Sequence, residues 1–144
     1  MKPAVLIAAA ALLVAGPAAA QNASQIASVR GGANCAGCNL FQAELGNLTL
    51  KNKNLSRARL RQAEMSTAIM NGTNFSGADM RDVNAYGALF TNANLTGADL
   101  TNATFVGAYL QGARLVGANC AGTNFAGAEM DRAREAESKA KALK

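Results

Sequence analysis

An all-β solenoid is the fold class this 144-residue sequence predicts, and three observations predict it. Every fifth residue from 40 to 130 is apolar: Leu40, Leu45, Leu50, Leu55, Leu60, Met65, Met70, Phe75, Met80, Ala85, Phe90, Leu95, Leu100, Phe105, Leu110, Leu115, Cys120, Phe125 and Met130. The residue two places before each of these is small in 17 of 19 cases and alanine in 13. Glycine stands two places after the large residue at Gly72, Gly77, Gly87, Gly97, Gly107, Gly112, Gly117, Gly122 and Gly127.

A period of five excludes the simple alternatives. Five residues of α-helix advance about 500°, a net rotation of about 140°, so the apolar positions smear around the cylinder. In a straight strand an odd period sends successive large residues to opposite faces. The chain therefore turns within each repeat. Residues two apart share a face in extended chain, so each small residue and the following large one point inward together, and the rest form a corner where glycine's freedom in φ is useful. One repeat cannot bury its own apolar face; stacked repeats can.

The ends differ from the repeat. Residues 1–20 carry Lys2, an apolar run over 4–15, a Gly16-Pro17 break and Ala18-Ala19-Ala20, the order of a secretory signal peptide. That run falls short of the roughly 20 residues a membrane span requires, so no stable span is expected after cleavage. Removing 1–20 leaves 124 residues with 13 Lys and Arg against 9 Asp and Glu, a mildly basic single domain not committed to nucleic acid. Residues 21–34 are small, polar and aperiodic and read as a flexible lead-in. Residues 131–144 place acids before cations among alanines, which predicts a short C-terminal helix or tail.

The stretch Ala93-Asn94-Leu95-Thr96-Gly97-Ala98-Asp99-Leu100 resembles the pentapeptide-repeat proteins, whose repeat runs Ala, Asp or Asn, Leu and two variable residues. The likeness covers 19 consecutive repeats over 36–130. It implies a right-handed quadrilateral β-helix over 35–130, with four pentapeptides per coil and about 4.75 coils, roughly 23 Å tall at the inter-strand spacing. Leu48 and Lys53 depart from the small-residue rule, and a bulge or an outward Lys53 is expected there because burying a lysine costs several kcal/mol. Ala85 is undersized, with its column neighbours Met65 and Phe105 left to fill the space.

Cys35-Ala36-Gly37-Cys38 directly precedes the repeats, as similar CxxC starts do in family members. In an oxidising compartment a Cys35–Cys38 disulfide capping the column is the natural reading, with free thiols or redox or metal chemistry as alternatives. A zinc site needs four ligands; the chain has no histidine, and only Cys120 remains. Four coils separate Cys120 from Cys38, about 19 Å, far beyond disulfide reach, so Cys120 is expected in the core.

Positions twenty apart stack on one wall. Asn54, Asn74 and Asn94 are expected to hydrogen-bond along the axis as amide ladders do, in a column ending at Arg114. Asp79 and Asp99 stack at about the separation of a retaining glycosidase pair, but beside Arg59, Arg61 and Arg81 they read as a solvated charge network. Lys51, Lys53, Arg57, Arg59 and Arg61 form a basic rim on the first coil. Ile69, Leu89 and Tyr109 share an outward column, with Tyr86 and Val106 just before the adjoining corner. They form an apolar stripe of the kind that marks a contact surface.

Without histidine, an activated nucleophile or a metal cluster, no catalytic site and no cofactor are expected. The sequence predicts a non-catalytic periplasmic or secreted scaffold or protein-binding module that engages an unknown protein or cell-envelope component, or a second copy as a homodimer. Some members of the resembled family mimic DNA and bind type II topoisomerases through an acidic surface. The basic charge and export signal depart from that pattern.

Overall fold

The computed structural model describes residues 22–133. The expected signal peptide and residues 134–144 of the expected C-terminal helix lie outside the described residues. Within them the chain is a column of β-bridges, each joining a residue to the one twenty places on, in parallel: Asn39 to Arg59, Arg59 to Asp79, and so on to Tyr109 with Glu129. Every rung of twenty residues carries four turns.

The corners explain the period. At the second, Ala43 N–H donates to the Leu40 carbonyl (3.0 Å), and Gln42 between them has φ 56°. A hydrogen bond from i+3 to i with a left-handed residue at i+2 is type II turn geometry. It recurs every five residues, with positive φ at Gly37, Gln42, Asn47 and on to Arg132. Sides are joined by amides pointing up and down the axis. Leu40 N–H donates to the Arg59 carbonyl and Arg59 N–H to the Cys38 carbonyl, both at 2.8 Å.

This closure leaves four walls of outward side chains. Wall one holds Asn39, Arg59, Asp79, Asp99 and Asn119; wall two holds Glu44, Glu64, Asn84, Thr104 and Asn124. Wall three holds Thr49, Ile69, Leu89, Tyr109 and Glu129; wall four holds Asn54, Asn74, Asn94 and Arg114. The interior holds the large residues of the period with the alanines. Phe75, Phe90, Phe105 and Phe125 form a run with ring centroids 5.3–5.7 Å apart, and Ala85 is fully buried in the column of Met65 and Phe105. Cys120 is buried, as its phase requires.

Three expectations are corrected. Residues 22–30 are not a flexible lead-in but a helix, α1, lying over the N-terminal end of the column. Its Val29 is fully buried and Ile26 packs on the core. The side chains around it occupy polar groups that a further rung would have met. Gln25 Oε1 accepts from Asn39 N–H (2.6 Å), and in the link after α1 Asn34 Oδ1 accepts from Asn54 N–H (2.8 Å). Residues 131–133 do not begin a helix but make one more corner, with Ala133 N–H bonded to the Met130 carbonyl. At Lys53 there is no bulge, because the bridges Thr49–Ile69 and Asn54–Asn74 continue on either side. The lysine is half-buried and its Nζ reaches Gly32, just beyond the C-terminal end of α1, where a cation is favoured.

Thr73, directly below Lys53, is fully buried and its hydroxyl is used twice. It donates to the Leu50 carbonyl and accepts from Lys53 N–H (3.4 Å). Thr123 repeats the contact on the Leu100 carbonyl (2.7 Å), which explains how threonine substitutes for alanine in an apolar column.

The corners generate a paired prediction. A Cβ on Gly97 has open space around it, so Gly97→Ala is charged only for the left-handed backbone, about 1–2 kcal/mol. Thr67 occupies the same conformation with a β-branched side chain (φ 56°), so Thr67→Gly is expected to stabilise by up to about 1 kcal/mol. Urea denaturation of the two variants measures both signs.

Candidate interaction surface

Most of the outer surface is self-satisfied polar structure. Asn54, Asn74 and Asn94 stack as expected but form no axial amide ladder. Each side-chain Oδ1 instead accepts the N–H two residues on, at Ser56, Ser76 and Thr96 (3.0–3.1 Å). This Asx arrangement holds the entry to the corner, and Asp99 makes it with Thr101 and Asn124 with Ala126. The residue two places on varies, since Asn84 makes the same turn with Tyr86 and Asn119 with Ala121.

Wall one carries the charge network. Arg81 makes two bonds to Asp79 (2.6 and 2.7 Å) and approaches Asp99 (3.9 Å), while Arg61 meets Asp82 (3.4 Å). The Arg81 hydrogen bonds hold the Asp79 carboxyl below its usual range despite partial burial. A general acid needs the opposite shift. On wall two, burial pushes the Glu64 carboxyl up, but hydrogen bonds from Ser66 and Asn84 outweigh it and leave it lowered. Surface grooves of about 250 Å³, among Asn39, Phe41, Arg59, Arg61, Asp79 and Arg81, and about 330 Å³, among Thr91, Asn92, Gln111, Gly112 and Arg132, accompany these corners.

Wall three differs. The bridges Ile69–Leu89 and Leu89–Tyr109 place the three predicted residues in one ladder. Ile69 and Leu89 are half-buried, while Tyr109 is 44% exposed. Tyr86 and Val106 occupy the corner between walls two and three on successive rungs, Tyr86 being 56% exposed. The structure thus brings all five residues onto one face and its edge. Two exposed apolar residues not singled out by the sequence lie elsewhere: Phe41 on the corner after wall one, and Val116 on the corner before it. Corner positions tolerate any residue at their first place, so the repeat gives no signal for them.

The remaining predicted residues fall at the N-terminal end. Cys35 and Cys38 are the first and last residues of the first corner, with Cα atoms 5.4 Å apart, inside disulfide reach. Lys51, Arg57, Arg59 and Arg61 are exposed around the first full rung. Among the described residues no group of three or more potential ligands is placed to hold a metal, and no helix is long and apolar enough to cross a membrane.

Comparison with known proteins agrees with this geometry. The family described as pentapeptide repeats matches in an eight-copy form over residues 33–72 and 68–105 and in a nine-copy form over 90–134. The chain belongs to the pentapeptide-repeat family. It is similar to HetL of the cyanobacterium Nostoc, a pentapeptide repeat protein involved in heterocyst differentiation regulation, at 32% identity and a TM-score of 0.65. That match covers 69% of this chain and 47% of HetL. It is also similar to a pentapeptide repeat protein of the Arabidopsis thaliana thylakoid lumen (28% identity, TM-score 0.57, 59% of each chain). The chain thus spans about half of the first of these structures and three-fifths of the second. No curated protein matches it in sequence.

The ion pair predicts a pH response. Asp79 has a lower pKa folded than unfolded, so it contributes stability fully present above its unfolded pKa, about 4, and lost as pH falls through the lower folded value. Arg81→Gln removes the first cause and is expected to move the Asp79 pKa upward, read by NMR titration of its side-chain carboxyl.

Proposed function

We propose that the protein is an exported, non-catalytic repeat scaffold that binds a protein or cell-envelope component through wall three. The observation that carries this reading is the apolar run of Ile69, Leu89 and Tyr109, edged by Tyr86 and Val106, on a column whose other walls are polar. Apolar surface left in register over three rungs favours contact, because covering it removes it from water. The inward positions of the repeat go to packing, which leaves flat walls rather than a chemical pocket.

Export rests on the order of residues 1–20, and periplasmic or secreted location follows from it. In such a compartment Cys35 and Cys38 are joined, bracing the first corner, which has no corner above it. The column is right-handed in this reading, with 4.75 coils over 36–130. The alternative taken from the family, DNA mimicry toward topoisomerases, fits poorly with a net charge of +5.

Leu89 and Tyr109 lie on the outer face of the wall and not in the core, so Leu89→Ser with Tyr109→Ser is expected to leave the melting temperature within a few degrees and to abolish partner recovery in crosslinking from the native compartment. Unchanged recovery sinks the contact reading. Intact mass of the exported protein is expected to begin at Gln21, with Cys35 and Cys38 resisting alkylation until reductant is added; a retained leader refutes export.

A further inference from the structure

We infer that the occupant of wall three is a second copy of the same chain, packed antiparallel about an axis at Leu89. This rests on the reading of wall three as a contact surface and names its partner.

The wall has five rungs, Thr49, Ile69, Leu89, Tyr109 and Glu129, with Leu89 at its centre. In a face-to-face pair of opposed columns the two-fold axis lies in the interface, across the wall. It therefore exchanges rungs top for bottom while keeping each edge against the same edge. Leu89 then meets the second copy's Leu89, and Tyr86, on the same rung at the edge, meets the second copy's Tyr86. One rung out, the exposed Tyr109 faces the half-buried Ile69, a protruding group against a recessed one, and Val106 faces Ser66.

The charges follow the same symmetry. The edge between walls three and four carries Lys51 on its first rung and Asp131 on its last, and Glu129 lies beside Asp131 on wall three. Lys51, Glu129 and Asp131 are all exposed, and among the described residues Asp131 is approached by Arg132 at 3.9 Å. Opposed columns bring Lys51 of each copy to the acidic end of the other, twice per dimer. Parallel columns, related by an axis along the wall, would instead exchange its edges and set Lys51 against Gly46 and Asp131 against Ala126, pairing neither charge. The wall thus complements itself in one orientation, apolar at the axis and oppositely charged at the ends.

Sedimentation of the full mature chain is expected to show a monomer–dimer equilibrium. Lys51→Glu and Asp131→Lys are each expected to weaken it roughly fivefold at low salt, and the double variant to restore it. Tyr86→Cys, on the axis, is expected to crosslink to itself on mild oxidation. Tyr109→Cys is expected to crosslink only when mixed with Ile69→Cys. Self-crosslinking of Tyr109→Cys, or charge reversals that fail to compensate, overturns the antiparallel pairing. A chain monomeric at every concentration that still loses partner capture on Leu89→Ser with Tyr109→Ser overturns the pairing and leaves the contact wall standing. A dimer indifferent to those two substitutions overturns both.

Discussion

The left-handed residue at each corner is the constraint on which the rest of this protein depends. A chain that places one residue of every five at positive φ turns once per repeat, and four turns bring it back above its own start. Amides and carbonyls that lie across the axis in an ordinary sheet then lie along it, each rung hydrogen-bonding the next. The apolar interior follows, since the two inward residues of each side have nowhere else to point. Glycine fills ten of the twenty corner positions, and the other ten are filled by residues that tolerate the conformation at some cost, Thr67 among them.

A column built this way has two ends where the ladder stops, and the N-terminal end is handled by α1 and the link after it. Val29 covers the apolar interior, and Gln25 and Asn34 accept from amides that have no rung above them. An uncovered end would present edge amides and a hydrophobic plug together, the combination that invites uncontrolled pairing. With that end closed, the walls offer the surfaces for recognition, and among the described residues wall three carries the apolar run.

Most of the architecture was legible in the sequence because the signal repeats 19 times. Phase alone placed Cys120 in the core and joined Ile69, Leu89 and Tyr109 in one column. What was missed lies where the period is silent. In α1 only Ile26 and Val29, three residues apart, carry the helical pattern, and a helix so short owes its stability to the column beneath it. The asparagine columns were misread because stacking suggested an axial ladder. An Oδ1 two residues from a corner N–H finds a nearer donor there, whichever residue carries that N–H. Lys53 was expected to distort or leave the column. The bridges beside it continue undistorted, and the half-buried side chain carries its ammonium to the link after α1.

The central claim is the twenty-residue closure, from which the walls, the core and the contact face all follow. It is tested most directly by NMR couplings transmitted through hydrogen bonds in the labelled chain. The account predicts coupling from the Phe75 amide to the Asn94 carbonyl and from the Leu95 amide to the Arg114 carbonyl, each nineteen residues on. Coupling of either of these two amides to a carbonyl at any other spacing would contradict it.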